Sequence, residues 1–429
     1  HSAAHVLAQA VQRINPQAKL GIGPPITDGF YYDFGVEEAF TPEDLTRIEV
    51  RMAELVAANI PVQRVEVSKA EALAMFADNP FKVELIQDLP DGTISIYRQG
   101  EFADLCRGPH VPSTGVLKAF KLMKVAGAYW RGDQEREQLQ RIYGISFPDQ
   151  AQLDDYLKRM EEARERDHRK IGQDMELFSF HEEGQGFPFW HANGMVLRNA
   201  VVDYWRDAHR RHGYVEIQTP SILDVGLWKR SGHYDHYREN MYFTTIDEMT
   251  HAVKPMNCPG GLLVYKNRMH SYREFPMRVA ELGAVHRHER SGVLHGLFRV
   301  RAFTQDDAHI FCTPAQVEEE VGGVIDLVHE IYNTFGFTDV AIELSTRPEK
   351  SIGTDDMWNN AEGALKAALE HRHIQYALNP GDGAFYGPKI DFHVRDCMGR
   401  SWQCGTIQVD FSMPERFGAT YEAEDGTRK

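Results

Sequence analysis

The stretch Pro276–Cys312, PMRVAELGAVHRHERSGVLHGLFRVRAFTQDDAHIFC, constrains the fold more than any other part of this chain. Two strand-like runs flank a loop that carries Arg287, His288, Arg290 and His295, with Arg299 and Arg301 placed on the second run. Strand, loop, strand predicts an antiparallel pair. The second strand is expected to include Arg299-Val300-Arg301-Ala302-Phe303. Further along it, Gln305, Asp307 and His309 alternate and therefore share one face. An amide, a carboxylate and an imidazole on one sheet face make a polar floor that a core does not need. The arginines beside it suit a triphosphate or an RNA end, because a guanidinium gives bidentate contacts to phosphate oxygens. A solvated sheet face laced with salt bridges is the alternative.

At 429 residues the chain is long enough for two or three domains of about 150 residues each. Residues 1–149 mix short helical and strand patterns. Ala3–Ala8 reads as a helix, Thr41-Pro42 as a capped helix start, and Ile94–Tyr97 as a strand. Residues 150–171 are dense in alternating charge with a thin stripe of Leu153, Leu157 and Met160, which predicts a solvated connecting helix. In residues 172–429 long helices such as Met195–His212 alternate with strands, so the expected class is α+β. No apolar run approaches the ~18 residues of a membrane span, and no membrane partner is expected. The net charge of −16 argues against a general polyanion binder but leaves room for local basic patches. The five cysteines are isolated and odd in number, which points to a reducing, cytoplasmic setting. The chain opens on His1 rather than Met, and segments are expected to be missing from both ends.

Three further constellations could carry chemistry. His1 and His5, spaced i, i+4, share a helix face, and Cys106 and His110 add two more N/S donors about a hundred residues later. Four such donors have zinc-like stoichiometry, although unrelated histidines would give the same spacing. Lys82 and Asp104 lie in the same part of the chain. Next, Cys258 sits between Asn257 and Pro259 in KPMNCPGG, which reads as a Gly-rich turn, and with His309 it offers two soft ligands to zinc. Last, GAFYGPK (383–389) and WQCGTIQ (402–408) each place polar groups beside aromatics at a strand edge and are weak alone.

Taken together, MNCPG, FTQDDAHIF, YGPKIDF and WQCGTIQVDF give this chain a sequence that resembles the threonyl-tRNA synthetases over essentially its whole length. The resemblance implies an editing domain followed by a class II catalytic domain, an antiparallel sheet flanked by helices. GYVEIQTP (213–220) is similar to the first class II motif and implies a homodimer; Val285–Arg301 is similar to the second. It implies that Arg287 binds the α-phosphate of ATP, and that Gln305 and Lys389 act with it in catalysis. Met256, Asp307, Tyr386, Gln403, Thr406 and Gln408 would line the adenylate and threonine pocket, with Met256 beside a zinc ion held by Cys258 and His309. His1, His5, Lys82, Asp104, Cys106 and His110 would form a metal-free site that deacylates seryl-tRNA(Thr). ATP with Mg²⁺, threonine and tRNA(Thr) are the implied substrates and partners. Gly261 stands where the family usually has His. The third class II motif, with the third zinc ligand and a second ATP-binding Arg, is expected beyond Lys429, and the small N-terminal and anticodon-binding domains outside the sequence.

Physical reasoning favours such a pairing of sites. Zinc with three protein ligands keeps an open position, so a hydroxyl amino acid can be told from valine. Serine lacks only a methyl, worth about 1–3 kcal/mol or about 10- to 200-fold, short of the ~10⁴ that translation needs. A second, hydrolytic site is therefore expected. Two rivals remain at this point: a non-catalytic synthetase-like RNA-binding protein, and a metal-dependent hydrolase built on His1, His5, Cys106 and His110.

Overall fold

Apolar residues at helical spacing open the chain: Ala4, Leu7, Ala8 and Val11 make one continuous buried stripe on α1 (Ser2–Ile14). The computed structural model describes residues 1–27 and 29–429, which divide into two compact units, His1–Glu161 and Glu162–Lys429. In the first unit β1 (Gly29–Gly35) sends Tyr32 and Phe34 against α1. Helix α2 (Pro42–Ala57) adds Ile48, Met52 and Leu55 to the same core. Each large apolar side chain buried in this way contributes about 1.5–3 kcal/mol. Thr41 starts α2 through a capping box with Asp44, and Pro42 follows, as the sequence predicts.

Strand β2 (Val62–Ser68) is followed by α3 (Pro80–Gln87), then β3 (Thr93–Gln99) and β4 (Phe102–Leu105); β2, β3 and β4 form a three-stranded antiparallel sheet. Strands β5 (Ala119–Tyr129) and β6 (Gln138–Phe147) complete a second sheet, in which β6 lies between β1 and β5. The segment read as one connecting helix over 150–171 is two helices. The first, α4 (Gln150–Glu165), buries only Leu153, in keeping with its charge pattern. A second begins at His168 because Asp167 accepts from the Arg169 backbone N–H at 2.8 Å and caps a new start.

In the second unit α5 (Ala192–Arg211) precedes a short strand, Val215–Glu216, that pairs parallel with β7 (Met277–His286). Helix α6 (Cys258–Tyr265) corrects the reading of MNCPGG as a turn: Cys258 is its first residue. Pro259 fits its first turn, and a Cβ on Gly260 would fall 2.9 Å from Thr219, so glycine permits close packing there. Strand β7 pairs antiparallel with β8 (Ala302–Phe311) in the expected hairpin. The second strand starts three residues later than the sequence suggests. Arg299 instead closes a tight turn with His295, and the Arg301 side chain donates to the carbonyls of Glu289 and Gln185. Helices α7 (Val317–Thr334) and α8 (Asp355–His371) pack on a four-stranded sheet. It contains β9 (Val340–Ser345), β10 (Lys389–Arg395) and β11 (Ser401–Gln408), with Ala377–Asn379 at the far edge. Mixed helices and mainly antiparallel sheets make both units α+β.

Candidate functional site

In the first unit, three separate elements converge on Asp104. It lies on β4 and is buried with Lys82, the third residue of α3. Asp104 Oδ1 lies 2.5 Å from Lys82 Nζ and accepts from the Leu105 N–H at 2.7 Å. Asp104 Oδ2 accepts a short hydrogen bond from the Tyr32 hydroxyl and lies 3.4 Å from His5 Nε2. Lys82 also donates to the Tyr32 oxygen at 3.2 Å. Burial works to raise the Asp104 pKa, but Lys82 and His5 outweigh it and the carboxyl stays below its ordinary value. Tyr32 was not among the predicted residues; the one signal for it was its inward phase in the Phe30, Tyr32, Phe34 alternation.

Beside this cluster, Cys106 Sγ lies 3.1 Å from His1 Nδ1 and 3.2 Å from His110 Nε2. His110 Nδ1 is 3.1 Å from Ser2 Oγ, a contact the sequence did not reveal. The loop that carries Cys106 and His110 passes Gly108, where φ is +73° and a Cβ would fall 2.2 Å from the Tyr97 oxygen, so glycine is required. All six residues predicted for this site thus meet in one place. Burial lowers His5 to about 4 and His110 to about 3, so both imidazoles are neutral at physiological pH. Burial pushes the Cys106 thiol up. His5 Nδ1 is buried without a partner, a free ring nitrogen within the cluster. Among the described residues, His1, Cys106 and His110 are the one group of three whose donor atoms all lie within 4.8 Å of one another.

The second unit holds a cavity of about 1490 Å³. It is lined by Met256, Cys258, Arg287, Gln305, Asp307, Tyr386, Lys389, Gln403, Thr406 and Gln408. Every residue predicted for the synthetic site therefore borders it except His309. That ring lies against the first turn of α6, since a Cβ on Gly261 would fall 3.4 Å from His309 Nδ1. Cys258 begins the same turn, so the two predicted zinc donors approach one piece of backbone. Burial raises the Cys258 thiol, and Asp307 and Asp410 add to it. Arg287 Nε donates to the Pro255 carbonyl at 3.1 Å, and its guanidinium stands 5.2 Å above Phe303.

Several polar groups here escaped sequence reasoning. Asp391 is buried on β10 and collects Lys389 at 2.8 Å, Gln403 at 2.6 Å, Thr406 at 2.9 Å and Ser345 at 3.1 Å. Burial works to lower the Lys389 pKa, but Asp391 overcomes it and the amine is raised. The i, i+2 spacing of Lys389 and Asp391 was a usable signal, since both face the same side of β10. Lys254 is a buried charge on Glu281 at 2.9 Å and Thr219 Oγ1 at 2.8 Å. His233 Nε2 lies 2.8 Å from Met256 Sδ, and burial lowers that imidazole to about 4.

An antiparallel hairpin that brings an arginine to the lining of a large cavity, beside helices and a second, mainly antiparallel sheet, defines a class II aminoacyl-tRNA synthetase core. Residues 242–429 match the family described as tRNA synthetase class II core domain (G, H, P, S and T). Residues 94–143 match the threonyl and alanyl tRNA synthetase second additional domain. The chain is 61% identical to the threonine–tRNA ligase of Carboxydothermus hydrogenoformans over 100% of its own length and 68% of that protein. It is 59% identical to that of Acetivibrio thermocellus over the same shares. Among solved structures it is similar to the RNA binding domain of threonyl-tRNA synthetase from Cryptosporidium parvum Iowa II, with a TM-score of 0.60 and 46% identity over 62% of this chain and 66% of that one. This chain belongs to the threonyl-tRNA synthetase family, enzymes that ligate an amino acid to tRNA.

Proposed function

We propose that the polypeptide carrying this sequence activates threonine with ATP, transfers it to tRNA(Thr), and hydrolyses seryl-tRNA(Thr) in its first unit. One observation carries the reading: a single cavity gathers Arg287, Asp307, Tyr386, Lys389 and Gln408 from segments far apart in the chain. Activation needs no protein nucleophile, because the threonine carboxylate attacks the α-phosphate. Position and charge neutralisation then carry the catalysis. Arg287, braced by Pro255 and Phe303, serves the α-phosphate, and Lys389, held by Asp391, adds a second positive charge. ATP enters with Mg²⁺.

The donor chemistry around Cys258 and His309 fits zinc: a thiol and an imidazole, both soft enough for it, on elements that meet at the first turn of α6. Zinc bound there supplies an open Lewis-acid position that distinguishes a hydroxyl amino acid from valine. In the first unit, neutral His5 keeps Nδ1 free to take a proton from water, and Lys82 and Tyr32 hold Asp104 in place. We read that site as metal-free. A homodimer is supported by the outer face of α5, where Val196 is 73% exposed beside Leu197 and Val201. No helix is long and apolar enough to cross a membrane, and the free cysteines suit a cytoplasmic setting.

Threonine-dependent ATP–pyrophosphate exchange by the natural full-length polypeptide tests the reading, and its absence refutes it. A metal-dependent hydrolase is the second reading, favoured by the grouping of His1, Cys106 and His110. Zinc content after deletion of residues 1–149 separates the two: retained zinc supports the synthetic site, and lost zinc supports the hydrolase.

A further inference from the structure

Asn257 immediately precedes Cys258 and is 1% exposed, yet its side chain does not cap the helix that follows. Its amide nitrogen donates to Asp307 Oδ2 at 3.0 Å and to Gln305 Oε1 at 3.4 Å. The two hydrogens of the amide are thus divided between two neighbouring pocket residues. Chemistry sets the orientation, because the reversed amide would turn an oxygen toward a carboxylate that has only acceptors. The remaining atom, Asn257 Oδ1, is buried without a hydrogen-bond partner. A polar group left unsatisfied in this way weakens the fold, so packing alone does not account for an amide at this position. The surroundings are shaped to admit it. β7 pairs Gly283 with Gln305, and a Cβ on Gly283 would fall 2.1 Å from Asn257 Oδ1.

We infer that Asn257 is a positioning residue that sets the donor and acceptor polarity of the amino-acid pocket, a role that rests on reading Gln305 and Asp307 as threonine-pocket residues. Because Gln305 Oε1 accepts from Asn257, the Gln305 amide keeps its N–H donors for the cavity. With Asp307 Oδ2 engaged, Oδ1 remains as an acceptor. The pocket therefore offers one donor and one anionic acceptor two residues apart on one strand face. An amino acid brings the complementary groups: a carboxylate that accepts, and an ammonium or hydroxyl that donates.

The test measures kcat and KM for threonine and for ATP in pyrophosphate exchange, using the natural full-length polypeptide, Asn257→Asp and Asn257→Ser. Asn257→Asp keeps the shape and replaces the donor with a second carboxylate. Its KM for threonine should rise at least about tenfold, the size expected when a hydrogen bond to a charged group is lost. Its KM for ATP should stay within about twofold, and the preference for threonine over serine and valine should narrow. Asn257→Ser, which retains a shorter hydroxyl donor, should fall between the two. If Asn257→Asp does not fold, the same split in Asn257→Ser, with folding checked by thermal melting, decides the matter. Equal rises in both KM values, or no change in either, overturn the role of Asn257 while leaving the activation reading intact. No exchange by the unsubstituted protein overturns that reading and this role together.

Discussion

Lys82 Nζ lies 2.5 Å from Asp104 Oδ1, and both side chains are 2% exposed. Two charges so deeply buried are retained only as a pair, since removing one strands the other in a medium that solvates it poorly. Lys82→Ala should therefore destabilise the first unit by about 3–5 kcal/mol. Seryl-tRNA hydrolysis should be lost with it. Calorimetry on the variant checks the first point; an unchanged melting transition would mean that the pair is not what holds Asp104. The Asp104 pKa lies below its unfolded value. Its contribution is thus present above about pH 4 and is lost as the pH falls through the folded value.

The histidines of the same cluster act with the opposite chemistry but the same pH direction. His5 titrates at about 4 and His110 at about 3, both below an unfolded value of about 6.5. Between those values the unfolded chain binds protons that the folded chain does not, so stability is full above about pH 6.5 and falls on acidification toward 4. Hydrolysis of seryl-tRNA should show no imidazole-dependent loss between about pH 5 and 7. A melting series and a pH–rate profile over that range provide the measurement, and a rate that halves near pH 6.5 would count against neutral imidazoles.

Changing His1 and His5 together to Ala should abolish seryl-tRNA hydrolysis and leave threonine activation unchanged. The two sites lie in separate compact units, and effects at distant sites without shared partners are nearly additive. Pyrophosphate exchange by the double variant is the readout. A parallel fall in activation would sink the two-site arrangement.

His309→Ala should lower zinc content and narrow the preference for threonine over valine, because His309 and Cys258 are the two soft donors at the first turn of α6. Metal analysis of the purified variant decides it, and undiminished zinc would remove His309 from the ligand set.

Asp391→Asn should weaken activation by about tenfold or more, because Lys389 would then be paired only with the exposed Asp382 at 3.3 Å. Gln403 and Thr406 would then meet a neutral amide in place of the carboxylate. If the loss appears in KM for ATP, Lys389 serves the nucleotide; unchanged kinetics would show that Asp391 is only structural.

Local pattern made part of this protein legible from its residues alone. The His1–His5 spacing, the Thr41-Pro42 helix start, the charged face of α4 and the shared face of Gln305, Asp307 and His309 all depend on neighbours within a few positions, where the period of helix or strand dictates which way a side chain points. The specific strings MNCPG and FTQDDAHIF pointed to the family in the same way. Tertiary structure alone decided which groups face one another. Tyr32 and Asp104 are 72 positions apart, and Asn257 and Asp307 are 50 apart. Their pairing follows from how β1 meets β4 across two sheets and how the residue before α6 meets β8, and no period in the sequence records either. The same holds for the break at Asp167 and for the late start of β8, where a capping carboxylate and the Arg301 contacts override local propensity. Burial, too, is a property of the packed chain: it is the main cause that lowers His5, and it encloses Asn257 Oδ1 without a partner.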